Sequence, residues 1–390
     1  VSQIDQLLTS EGLALLRALE SDSAETDPLK LVGILRKQGA SAELSAQVLT
    51  QLKLRKKAAA KFGPFAKEML FTEAGLEQAT RLAVAAHHAG RFKQLGIASV
   101  TDLGCGIGAD SLAFAAAGLA VTAIEQEPPT AALASFNLAG FENAKVIQSA
   151  AEKISIESEG LWFDPARRDL SHTGERHRVV GPDDFSPSLT WIYSLARTRP
   201  SGVKLGPAFP LELIPEDAQA EWVSHDGDLV ELTLWFGFGD QGTRSALKLG
   251  HESHRYRATE VVSAEIGSLG RYIYEPDSSL IRSGLMGNLA SELGLRLISP
   301  NIAYLSSETA TQSPWLKSYE LIEELPLDEK QIAAWCRARE IGILEIKKRG
   351  VDITPEQLRP KLKLKGAGTA TLILTKVGGA RKALFCKPIR

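Results

Sequence analysis

The stretch Val100–Asp110, VTDLGCGIGAD, sets three glycines within five positions directly after a short apolar run. A strand that must turn at once into a helix across so little side chain is the opening of an α/β unit. Glycine at 104, 106 and 108 lets the backbone turn sharply or lets a ligand approach it closely. In an α/β sheet, ligands sit outside the carboxyl ends of the strands, beside this first turn. The loop alone leaves three options open: a nucleotide phosphate, a nucleoside without phosphates, or no ligand.

The flanking sequence fits that opening. Residues 1 to about 95 read as helical, with apolar residues at three- and four-residue spacing in LLTSEGLALLRALE and from Ala42 through Lys61. TEAGLEQATRLAVAAHHAGRF predicts one further amphipathic helix with Thr72 as its N-cap. After Gly96 the period changes. ASVTDLG, LAVTAIEQ, AKVIQS and LWFDP are short apolar strands, with helical segments in the first two gaps. SGVKLGPAF, AEWVSHDG and DLVELTLWFGF follow as strands, the last two joined through the His225–Gly227 triplet as a hairpin. A parallel sheet ending in an antiparallel hairpin is the layout of the class I methyltransferase core. From about Ser268 the chain starts afresh as an α+β piece whose final strands flank a VGG turn. Three segments are expected: a helical domain over 1–95, an α/β core over 96–266 and an α+β domain over 267–390, in keeping with the length of 390 residues.

Composition excludes several classes. Cys105, Cys336 and Cys386 are odd in number and widely separated, so they form no disulfide framework or zinc motif, and no metal site is expected. That pattern suits a reducing cytoplasm. The first residues carry acids and no long apolar core, and no apolar run approaches 18 residues, so neither a signal peptide nor a membrane span is expected. The net charge of −2 hides a basic C-terminal stretch from Lys347 onward, with Asp352 and Glu356 as its acids. Such a stretch suits a polyanion such as RNA, or forms a solvated face.

Three motifs carry chemistry. Asp102, two positions before Gly104, can organise the loop and approach an ammonium group. Glu125 stands at the end of the second strand, where an acid accepts hydrogen bonds from ribose hydroxyls; adenosyl and dinucleotide cofactors both use one. LWFDPARRD separates these two. Asp164 and Pro165 arrive at the carboxyl edge, where a carboxylate can take a hydrogen bond from an attacking amine. Hydride transfer has no use for such a motif. Arg167, Arg168 and Lys204 add cations at the same rim, suited to phosphate or base contacts.

With these residues in place, the chain resembles a bacterial family of class I S-adenosylmethionine-dependent methyltransferases that carry a C-terminal THUMP-like domain. Their cores are similar to those of trimethylguanosine synthases. The resemblance runs over nearly the whole chain, through KFGPFAKEMLFTEAGLEQAT, DLGCGIGAD, VTAIEQEP, WFDPARRD, VKLGPAFP, EWVSHDG and EIKKRGVDITPEQLRPKLKLKG. It implies an α/β, Rossmann-like fold: a seven-stranded sheet, an N-terminal helical domain and a THUMP-like C-terminal domain. It also implies S-adenosylmethionine as cofactor and methylation of a nitrogen in structured RNA, tRNA or rRNA. Carried over, Asp102, Gly104, Cys105, Gly106 and Gly108 line the methionine side of the cofactor. Glu125 holds the ribose, Gln126 lies near the adenine, and Asp164 and Pro165 face the methyl group. Phe71, Thr72 and Gln78 match a lid segment. Two positions depart from related amine methyltransferases. Ala166 and Arg167 replace the usual proline and aromatic residue after Asp-Pro, and Ser149-Ala150 lacks the acid often found near the adenine. A non-catalytic RNA-binding protein on the same core and a small-molecule methyltransferase are the alternatives.

Overall fold

The structure, a computed structural model, describes residues 4–20, 28–167 and 181–389. The chain begins with α1 (Ser10–Glu20), α2 (Pro28–Lys37), α3 (Ala42–Phe62), α4 (Glu73–Gln78) and α5 (Leu82–Gln94). Ser41 caps α3 by accepting from the Leu44 N–H, and Thr72 caps α4 by accepting from Gly75. The single helix predicted after Thr72 is therefore two. The Lys61 ammonium donates to the carbonyls of Leu76, Glu77 and Ala79 at 2.7, 2.7 and 2.9 Å, stopping α4. Thr80 turns aside to donate to Asp110 at 2.7 Å. Helical periodicity survives the break because both pieces bury an apolar face, so sequence spacing alone does not reveal it.

An α/β succession follows: β1 (Ser99–Leu103), α6 (Ala109–Ala116), β2 (Ala120–Glu125), α7 (Pro128–Leu138), β3 (Ala144–Gln148), β4 (Gly160–Phe163), β5 (Ala166–Arg167), β6 (Phe185–Ser186), α8 (Leu189–Ala196), β7 (Ser201–Leu205), β8 (Gln219–His225) and β9 (Asp228–Phe236). Next come β10 (Arg244–Leu249) and β11 (His254–Ala258). Among the described residues these strands form a nine-stranded sheet, ordered β3-β2-β1-β4-β7-β9-β8-β10-β11, with β5 and β6 paired separately. β2 and β4 flank β1 in parallel register, and β3 and β7 extend them. Asp226 and Gly227 both take positive φ, 52° and 89°, and close the predicted hairpin as a two-residue turn. The expected seven strands are present, and β10 and β11 extend them to nine. Alternating polar residues in RSALKLGHESHRYRA hide this pair from a reading based on apolar runs.

The remaining elements are β12 (Tyr272–Pro276), α9 (Ser278–Arg282), α10 (Met286–Leu293), β13 (Arg296–Leu297), β14 (Leu305–Ser307), β15 (Leu316–Pro326), α11 (Glu329–Ala338), β16 (Ile341–Lys348), α12 (Pro355–Leu362), β17 (Gly368–Val377) and β18 (Ala380–Ile389). Their strands make a second sheet, ordered β13-β14-β12-β15-β18-β17-β16. α11 and α12 bury Ile332, Trp335, Leu358 and Leu362 against Leu372, Leu374 and Phe385. Trp335 stacks on Phe385 with ring centroids 3.6 Å apart.

The chain divides into two compact units. One comprises Val1–Leu205, Phe209–Ala218 and Thr233–Gln241; the other comprises Gly206–Ala208, Gln219–Leu232 and Gly242–Arg390. In the first, one apolar cluster joins Leu16, Val48, Phe62 and Phe71 of the helical segment to Phe92, Phe114, Leu133 and Trp162 around the sheet. The helices therefore share a core with the elements that build the glycine loop. No helix among the described residues is long and apolar enough to cross a membrane.

Candidate active site

β1 ends in the glycine loop, and the loop's conformation follows from its residues. Gly104, Gly106 and Gly108 have φ of +92°, +55° and +86°, a region that side chains with a Cβ disfavour. The Gly104 and Cys105 N–H groups donate to the Ile124 carbonyl at 3.0 and 2.9 Å, binding the loop to the end of β2. A Cβ on Gly104 would stand 3.1 Å from the Asp164 carbonyl, so the end of β4 lies directly against the loop. Nothing lies within 4 Å of the Cβ position of Gly106. The ends of β1, β2 and β4 thus converge on a stretch of bare backbone.

Four carboxylates surround it, each with a different environment. Asp102 is 1% exposed. Its Oδ2 accepts from Ser111 Oγ at 2.6 Å, whereas Oδ1 is buried without a partner. Burial, followed by the charge of Asp110, pushes its carboxyl well above the usual range. Asp110, in the first turn of α6, is also buried. Burial alone would raise it too, but the His88 hydrogen bond and charge outweigh that and hold it below the ordinary value. His88 Nδ1 lies 2.8 Å from Asp110 Oδ1, and the fully buried imidazole packs on Trp162 with centroids 4.2 Å apart. Glu125 accepts from the Gly106 N–H at 3.1 Å and from the Glu127 N–H at 2.9 Å. Burial raises its carboxyl despite these bonds. Asp164 is paired with Lys204, Oδ2 to Nζ, at 2.6 Å.

An orphaned, buried carboxylate oxygen beside side-chain-free backbone, with a second acid at the next strand end, fits a cofactor having an ammonium group and a ribose. Residues 316–388 match a family model described as THUMP domain-like, and residues 1–58 match a domain of unknown function. Two proteins called "Uncharacterized S-adenosylmethionine-dependent methyltransferase", from two strains of Mycobacterium tuberculosis, are each 29% identical over 352 residues. The alignments cover 86% of this chain and 95% of each relative. A crystal structure of a "putative methyltransferase" from Porphyromonas gingivalis W83 shares the fold at a TM-score of 0.75 and 21% identity, covering 97% of this chain and 98% of its own. Over most of its length the chain is similar to S-adenosylmethionine-dependent methyltransferases, and its C-terminal segment is THUMP-like.

In this methyltransferase the structure brings Asp102, Gly104, Cys105, Gly106, Gly108, Glu125 and Asp164 to one sheet edge. Pro165 is buried beside Asp164, and Gln126 is exposed just beyond Glu125. The Cys105 thiol is buried, which pushes it well above its usual value and leaves it protonated. Phe71 is placed in the core, 1% exposed and packed on Phe62. Gln78 is exposed at the end of α4, its carbonyl 3.4 Å from Lys204 Nζ. Lys204, expected at the substrate rim, is only 13% exposed and bound to Asp164. Arg167 lies in β5; Arg168 falls outside the described residues.

Thr80, His88, Asp110 and Asn137 have structural parts that the sequence reading did not assign. Asn137 Oδ1 accepts from the Leu70 N–H, and its amide donates to the carbonyls of Leu70 and Ile107. It therefore ties the strap before α4 to the glycine loop. Asp110 was within reach as the acid immediately after that loop; the others carry no sequence signal, because their partners are distant in the chain.

Proposed function

We propose that this methyltransferase modifies a nitrogen of structured RNA, tRNA or rRNA, with Asp164 and Pro165 forming the acceptor site. The observation that carries the reading is the Asp164 main chain lying against Gly104 while its carboxylate stands at the carboxyl edge of the sheet. S-adenosylmethionine supplies an electrophilic methyl group when bound. Asp102, through its unpartnered oxygen, would receive the ammonium group. Glu125 would hold the ribose hydroxyls, exchanging its bond to Gly106 for them, and Gln126 would border the adenine. Asp164 then accepts a hydrogen bond from the acceptor nitrogen and keeps its lone pair directed at the methyl position. Arg167 and Arg168 are proposed substrate contacts. Lys361, Lys363 and Lys365 are exposed on the THUMP-like side of the chain, alternating with the more buried Leu362 and Leu364, and suit phosphate contacts.

The proposed division of labour follows the three segments. Residues 1–95 brace the glycine loop, 96–266 hold cofactor and acceptor, and 267–390 grip RNA. A cytoplasmic setting accords with it.

The test combines calorimetry with nucleoside analysis. The purified protein takes up S-adenosylmethionine. Asp164→Ala retains that binding but transfers methyl groups to RNA from cells lacking the protein at least about 100-fold more slowly. Mass spectrometry of nucleosides from the same cells identifies the missing modification. Undiminished transfer by Asp164→Ala removes the assigned acceptor site, and absence of cofactor heat leaves only an RNA-binding role.

A further inference from the structure

The buried side of the acceptor site is a circuit of contacts that begins on β4 and ends on Asp164 just after it. Trp162, on that strand, packs against the His88 imidazole. His88 holds Asp110, and Asp110 accepts from Thr80. Lys204 Nζ donates to Thr80 Oγ1 at 2.9 Å, to the Gln78 carbonyl at 3.4 Å and to Asp164 Oδ2 at 2.6 Å. Asp164 follows Trp162 by two residues, so the circuit closes. Three oxygens accept from the ammonium, and Gln78 at the end of α4 and Thr80 in the break after it supply two of them.

The charges around Asp164 explain why such a holder is required. Asp102 on β1 repels it, and Asp110 on α6 adds a third carboxylate to the same cluster. Cys105 on the glycine loop is an uncharged thiol. From β7, Lys204 is drawn to Asp102 and Asp110 as well as to Asp164. Burial, followed by the charges of Arg81 and Lys204, brings Lys61 of the helical segment down to about 8. A carboxylate placed near two others is driven towards protonation unless a cation is fixed beside it.

We propose that Lys204 is a positioning residue of the methyl-transfer site: it holds Asp164 ionised and oriented, and is itself held by Thr80 at the helix break. This rests on the reading that Asp164 faces the acceptor nitrogen. A protonated Asp164 would present a donor where an acceptor is needed, and a rotated one would release the nitrogen from line with the methyl group. Lys204 acts through Asp164 and does not contact the substrate.

The experiment follows the Asp164 carboxyl by carbon NMR through a pH titration of the full chain, assigned by its loss in Asp164→Asn. In Lys204→Met the midpoint rises by about one to three pH units. Lys204→Arg restores most of the shift, and Thr80→Val moves the midpoint part of the way. Coincident midpoints in wild type and Lys204→Met overturn the proposal. If Lys204→Met does not fold, unchanged midpoints in both Lys204→Arg and Thr80→Val overturn it equally. A kinetic arm uses RNA from cells lacking the protein: Lys204→Met lowers kcat roughly 10- to 100-fold with KM nearly unchanged. A raised KM at unchanged kcat means direct substrate contact and also overturns it. Calorimetry with S-adenosylmethionine separates the two failures, since a coupled titration without cofactor binding sinks the methyl-transfer reading while the Lys204–Asp164 coupling stands.

Discussion

Asp102 shows how a single residue can be costly to the fold and useful to the site. A buried carboxylate with one unpartnered oxygen carries a desolvation cost that a bound proton or a cationic ligand offsets. Its carboxyl titrates above the unfolded value, so the folded state binds the extra proton between the two. Stability therefore falls as pH rises through that window. Asp102→Asn is expected to raise the apoprotein's thermal midpoint by about 2–4 °C at pH 8 and by less at pH 5, while S-adenosylmethionine affinity drops. Calorimetric scans at the two pH values check the sign. Glu125→Gln follows the same logic: near-neutral or stabilising without cofactor, but roughly tenfold weaker in cofactor binding by titration. Gly104→Ala acts oppositely, because φ of +92° strains the new residue and its Cβ approaches the Asp164 carbonyl. Urea unfolding should show a loss of about 1–3 kcal/mol.

Between these residues and the fold stand a few elements that fix the loop from the helical side. The strap Met69–Phe71 is held by side chains instead of a neighbouring strand. Gln51 of α3 brackets Phe71, accepting from its N–H at 3.0 Å and donating to its carbonyl at 2.7 Å. Asn137 of α7 brackets Leu70 and reaches Ile107 in the glycine loop. Gly75 allows α4 to sit against Ile107, since a Cβ there would stand 2.7 Å from Ile107 Cγ2. Asn137→Ala leaves one donor and two acceptors of the main chain unpaired in the interior. It should cost at least about 2 kcal/mol in urea unfolding and weaken S-adenosylmethionine binding through the loop. A loss of stability with cofactor affinity untouched would mean that the strap does not brace the site. Helical spacing identified the elements on either side of this region. It missed the interruption at Ala79–Arg81, because the break is enforced by Lys61 and Asp110, whose approach depends on packing.

At the scale of the whole molecule, a near-neutral chain concentrates cations towards its C-terminus. Replacing Lys361, Lys363 and Lys365 together by Glu is expected to weaken retention of RNA while S-adenosylmethionine binding stays unchanged. In a filter-binding series the slope of log K against log salt should fall by about 0.7–0.9 for each phosphate contact removed. An unaltered slope would place the RNA contacts elsewhere. The sequence by itself determined the α/β class, the run of parallel strands, the glycine loop and the two acids, Asp102 and Glu125, at the ends of its first two strands. Those signals are local: a positive φ demands glycine where it occurs, and buried strands must be apolar wherever they pair. Tertiary structure alone decided that Lys204 turns inward to Asp164, that Phe71 is core, and that β10 and β11 extend the sheet. A side chain's charge is visible in sequence, but its partner is chosen by which distant elements pack together, and burial then sets what that charge can do.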